Sequence, residues 1–216
     1  MASKPGALER SDGRKVQSSP VRHPLRWAIV FLVLAVVVSA VGPPERVLGQ
    51  TIGLVDLHGA WVWTAIIVLG ASAATGGIGW LRRSNTLANW SIVLGQVGTF
   101  FWVSYLPLSL WAMDATWGGL FLVEPRWRLG VNFALVTLIA QTTILLIRRP
   151  DWASTVNVVV FLALVVSLTS TSSILHPSSP VFGSGSIAIL AAYLAVQVLC
   201  LASAWQLAYA LSRQRQ

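Results

Sequence analysis

The stretch "TVNVVVFLALVVSLTSTSSI", Thr155 to Ile174, holds no charged residue. A helix of about 20 apolar residues rises about 30 Å, which matches the hydrocarbon thickness of a bilayer. Lipid offers no partner to exposed backbone groups, so a crossing segment of an open chain has to be a helix. The stretch therefore reads as a transmembrane helix. Further apolar runs lie at 27–42, 60–81, 88–112, 129–147 and 186–211. The run at 27–42 is the shortest, and a cleaved signal peptide competes for it, although its polar lead-in is long for a signal. The expected fold is all-α: a polytopic membrane protein with six transmembrane helices.

Composition agrees with this reading. Of 216 residues, 55% are hydrophobic and 10% charged, where soluble domains carry about 25% charge. The net charge of +8 is explained by its distribution. Residues 1–26 are polar and hold six basic side chains, and are expected to form a disordered cytoplasmic tail. The membrane domain then occupies 27–212, and 213–216 form a second short tail. With the N-terminus inside, the tail, Arg82, Arg83, Arg148, Arg149, Arg213 and Arg215 put twelve basic residues on the cytoplasmic side. Only three, Arg46, Arg126 and Arg128, lie outside. This asymmetry places both termini in the cytoplasm and a multi-pass protein in the cell inner membrane. The basic charge thus marks sidedness in a lipid bilayer, and no nucleic acid partner is expected. Cys200 is the single cysteine, which excludes an intramolecular disulfide and a CxxC motif.

Three connections fall on the outer face: "VGPPERVLGQTIGLVDLHGAWVW" (41–63), "ATWGGLFLVEPRWR" (115–128) and "SSILHPSSPVFGSGS" (172–186). His58 opens the second span and His176 closes the fifth. Imidazoles from two helices at one depth can take both axial positions of a haem iron; each can equally be an interfacial histidine bonded to water or a carbonyl. The chain has 11 tryptophans. Trp27, Trp80, Trp90, Trp152 and Trp205 suit a headgroup belt. Trp61, Trp63, Trp111, Trp117 and Trp127 crowd the outer connections, where a belt or a flat apolar ligand would use them. Gly118 and Gly119 would let a ligand approach the backbone. Arg126 and Arg128 offer planar donor forks to a carboxylate or a phosphate. Asp56 is a candidate acceptor for the His58 ring, although side chains two apart on a helix diverge. Asp114 and Glu124 have no nucleophile beside them. Phosphate-loop, HExxH and GxSxG patterns are absent, so the chain reads as a carrier rather than an enzyme.

These residues resemble the CcmC family, the haem exporter protein C of cytochrome c maturation. "GPPERVLGQTIGLVDLHGAWVW" is similar to the family's Pro-Pro loop leading into His-Val-Pro-x-x-Trp, with His58 and Trp63 at the histidine and tryptophan positions. "WGGLFLVEPRWRL" resembles the signature Trp-Gly-x-Trp-Trp-x-Trp-Asp-x-Arg-Leu. "SSILHP" matches the second external histidine. Departures are Leu120, Phe121 and Val123 at three tryptophan positions, Glu124 for the aspartate, Gly59 and Ala60 after the first histidine, and Pro177 for a glutamine.

The resemblance implies that haem b is bound transiently at the outer face, with His58 and His176 as metal ligands. Trp63, Trp117, Gly118, Phe121, Glu124, Pro125, Arg126 and Arg128 would form the haem-binding surface. It implies delivery to a haem chaperone, beside an ABC-type ATPase, a permease subunit and a small single-span subunit. Two other readings stay open: a permease subunit of an ABC-type transporter for another substrate, marked by polar residues deep in the spans such as Gln96, Asn132, Gln141, Asn157 and Gln197, or a non-haem membrane scaffold.

Overall fold

The structure is a computed structural model and describes residues 23–172 and 180–215. Residues 1–22 of the expected 1–26 tail, the segment 173–179 with His176, and residue 216 lie outside the described residues, while 24–26 belong to the first helix rather than to the tail. Among the described residues the chain is helical apart from its turns and one isolated bridge between Glu45 and Gly49. Six helices are long and apolar enough to cross a membrane: α1 (Pro24–Val41), α2 (Ile52–Leu81), α3 (Asn85–Trp117), α4 (Pro125–Ile147), α5 (Pro150–Ser170) and α7 (Ile187–Gln214). A single turn, α6 (Pro180–Gly183), precedes α7.

Local chemistry sets the ends. Ser84 and Ser186 cap α3 and α7 by accepting from the Leu87 and Ile189 N–H groups, which satisfies donors the helix leaves open. Proline begins α1, α4 and α5, where its missing N–H costs nothing. Gly118 closes α3 at φ 72°, with its N–H on the Asp114 carbonyl. The helices outrun the apolar runs that announced them. α2 starts at Ile52 rather than 60 because the polar residues that interrupt the run face the protein interior; Asp56 is only 4% exposed. The outer connection at 115–128 correspondingly shrinks to 118–124, flanked by helix ends.

The helix α2 sits at the centre, packed most extensively on α3 and also on α5, α7 and α1. The helix α4 packs on α3 and α5, and α1 on α7. The α2–α3 hairpin is antiparallel, and its register is pinned by polar bonds. Trp61 donates to Ser104 Oγ at 2.8 Å near one end, and Ser72 Oγ donates to the Ser91 carbonyl at 2.7 Å near the other. The same carbonyl accepts from Asn157 Nδ2 at 3.1 Å, Ser91 Oγ accepts from that Nδ2 at 3.0 Å, and Gln141 Nε2 donates to Asn157 Oδ1 at 2.8 Å. One buried polar node thus ties α2, α3, α4 and α5, as polar side chains do where water cannot compete. Gln197 Nε2 donates to Thr64 Oγ1 at 3.0 Å and links α7 to α2.

Large apolar side chains cover the outer surfaces of α1, α4 and α5, among them Ile29, Val33, Leu135, Ile139, Leu162 and Val166. In water such a surface would drive aggregation; in a bilayer it is the lipid-facing coat. The chain is a multi-pass, all-helical membrane protein, consistent with an inner-membrane location.

Candidate functional site

Two ends of the bundle differ in chemistry. One gathers the start of α1, the end of α7 and the α4–α5 turn. The opposite end gathers the start of α2, the end of α3 and the start of α4, and it holds most of the residues singled out from sequence.

His58 lies six residues into α2, about 9 Å along its axis. It is half-buried. Its ring packs on Tyr105 of α3, with centroids 5.8 Å apart and planes at 53°. Tyr105 is itself fixed on two sides. The buried Trp102 ring meets it at 5.1 Å and 74°, and its hydroxyl abuts Gly130 of α4, where any Cβ would overlap it. The Trp102 indole N–H donates to the Gly130 carbonyl at 3.1 Å, and its ring meets Phe133 at 5.0 Å. Below His58, Trp61 packs on Phe101 at 5.1 Å. The imidazole therefore stands on a wall of rings contributed by α3 and seated on α4.

Trp102 and Tyr105 were not singled out from sequence. Their signal is present: a tryptophan and a tyrosine one helical turn apart inside an apolar run, each needing a partner for its polar atom. Trp63 is placed elsewhere. It follows His58 by five residues, about 140° round the helix, and is 52% exposed. Asp56 is buried and lies on a different face of α2 from His58. The physical reason is the helix itself, which turns side chains two positions apart onto different faces.

The connection 118–124 folds back on the end of α3. The Phe121 N–H donates to Met113 Sδ at 2.9 Å, and the Trp117 and Phe121 rings meet edge-on at 6.0 Å and 70°. Gly118 and Phe121 are exposed, while Glu124 is buried at 1%. Asp114 is exposed, so the two acids occupy unlike settings. Pro125 begins α4, with Arg126 and Arg128 exposed in its opening turn. That turn has no acidic residue and no side-chain cap. The positive end of the helix dipole and two exposed guanidinium groups stand here beside the buried Glu124 at the N-cap.

On the neighbouring rim, the 42–51 turn is built around Glu45. Its carboxylate accepts from the Leu48 N–H at 2.9 Å and the Val47 N–H at 2.7 Å. Those bonds, Leu48 first, hold its pKa below the ordinary 4.5. Among the described residues no three of His, Cys, Asp and Glu come together as a metal site.

The deep polar residues separate into two kinds. Gln141, Asn157 and Gln197 are engaged between helices as described above, and Asn132 is exposed. No known protein family matches the chain in a scan against family profiles, and a search of curated proteins gives no match.

Proposed function

We propose that this membrane protein holds haem at the end of the bundle formed by the starts of α2 and α4 and the end of α3, and passes it to a partner. His58 would supply one axial nitrogen. The observation that carries the reading is its placement: a half-buried imidazole near a membrane rim, backed by Tyr105 and Trp102. Ionisable residues inside membrane spans are costly, and they mark function where they persist. The donor set fits the cargo. Imidazole is a haem-iron ligand, Trp117 and Phe121 add aromatic surface on the same rim, and the Arg126–Arg128 turn suits propionates. His176 would supply the second ligand. Trp63 belongs to this set through the resemblance alone.

Bound between two imidazoles at a rim rather than at mid-bilayer, the porphyrin would remain accessible to an acceptor. That is the property a carrier needs, and no covalent step by this chain is involved. A haem chaperone as acceptor, and an ABC-type ATPase with its permease and single-span subunits as companions, belong to this proposal through the resemblance to the CcmC family.

The test is a haem titration of the purified full chain in detergent, followed by absorbance in the Soret region. The wild type is expected to give a six-coordinate, low-spin spectrum. His58→Ala and His176→Ala should each lose that signature, and the double variant should bind haem at least roughly tenfold more weakly, a change of about 1.4 kcal/mol. Identical spectra and affinities in wild type and both single variants would refute the proposal.

A further inference from the structure

The end of the bundle that carries the termini has a cavity of about 560 Å³, lined by Asn89, Ile92, Ile144, Leu145, Arg148, Pro150, Gln214 and Arg215. Its two halves differ. Toward the bundle tip stand two guanidinium groups and two carboxamides, all exposed. Toward the membrane interior stand three aliphatic side chains. Ile92 and Ile144 are buried, whereas Leu145 is 45% exposed on the lipid-facing side. A charged head above an apolar wall that opens sideways is the shape of a phospholipid, not of a soluble metabolite.

The head of the cavity is built for an anion. Pro150 begins α5, and Arg149 at its N-cap makes no side-chain bond to the helix. That N-terminus is the positive end of the helix dipole, with Asp151 in its first turn. Arg148, just before it, closes α4 at φ 55°, a left-handed conformation, with its N–H on the Ile144 carbonyl. It is one of the residues that line the cavity. Arg215, at the C-cap of α7, brings a second guanidinium. Asp151, the nearest acid in sequence, is not among the lining residues.

We infer that this cavity binds the phosphate of an anionic phospholipid between Arg148 and Arg215, with one acyl chain lying along Leu145. The site is independent of haem and lies at the other end of the bundle. It goes beyond a diffuse attraction of basic residues to anionic lipid, because it requires two particular arginines from the C-cap of α7 and the α4–α5 turn.

The full chain in detergent is incubated with an equimolar mixture of phosphatidylglycerol and phosphatidylcholine, and the lipid retained after washing is quantified by mass spectrometry. Wild-type protein is expected to retain phosphatidylglycerol in roughly tenfold preference. Arg148→Gln with Arg215→Gln should abolish the preference. Arg82→Gln with Arg83→Gln removes equal charge from the α2–α3 turn at the same end and should leave the preference intact. Equal retention of both lipids by the wild type overturns the inference without reference to any variant. So does equal loss in the two double variants, which would mean diffuse attraction. Displacement of the lipid by inorganic phosphate alone would overturn it as well, since the acyl wall would then contribute nothing.

Discussion

His58 is recognisable in the sequence because histidine is scarce in an apolar chain. Its surroundings are less so. Tyr105 and Trp102 lie more than forty residues away, and only the antiparallel pairing of α2 with α3 brings them to it. Trp63 entered through the resemblance rather than through a local pattern, and in the structure it is exposed on α2. Glu45 was also silent in the sequence, since an acid after Pro-Pro can point anywhere. In the structure its carboxylate organises the turn before α2, and this has a consequence for pH. The folded-state pKa is lowered, so the carboxylate stabilises the turn above its ordinary value of 4.5 and ceases to do so as pH falls through the lower folded value. The Val47 and Leu48 amide resonances should therefore titrate with an inflection below 4.5 and be insensitive to pH in Glu45→Gln. An inflection at or above 4.5 would rule out the two hydrogen bonds.

At the scale of elements, all six spans were legible from apolar length alone, because lipid leaves the backbone no alternative to a helix. Their ends were not. Hydropathy reports where charge interrupts a run, whereas helices end where caps, proline and left-handed glycine allow. Asp56 and His58 broke the second run without ending the helix, and Gly118 and Pro125 turned much of a fourteen-residue connection into helix termini. What binds the spans to one another is equally hidden, since a serine or an asparagine looks alike whether it faces lipid or a neighbour. The Asn157 node joins four helices, and this gives it a measurable weight. Asn157→Leu removes three side-chain bonds, each worth roughly 0.6 kcal/mol in membrane proteins. It also leaves the Gln141 amide buried without that acceptor, so a loss of roughly 2–3 kcal/mol is expected. Ser72→Ala, which removes one bond, should cost roughly 0.6 kcal/mol. Equilibrium unfolding in mixed micelles reads the difference, and equal stabilities would mean the node contributes packing rather than hydrogen bonding.

For the molecule as a whole, charge and aromatic chemistry are divided between the ends. The end with the termini carries seven arginines among the described residues, namely Arg26, Arg82, Arg83, Arg148, Arg149, Arg213 and Arg215; the opposite end carries Arg46, Arg126 and Arg128. Cytoplasmic loops are enriched in basic residues because translocating them is unfavourable, so the end with the termini should face the cytoplasm and the His58 end the outside. Cys200 is free but buried, so introduced cysteines can report on accessibility without removing it. Leu120→Cys, in the exposed connection after α3, should react with a membrane-impermeant maleimide in intact cells, whereas Thr86→Cys, at the opposite end of the same helix, should react only after permeabilisation. Both proposed sites depend on the outcome in different ways. Reversed labelling would put His58 on the cytoplasmic side and remove the case for handing haem to an external acceptor. It would leave the lipid cavity in place, but move it to the outer leaflet, where the retention assay in detergent would still read it.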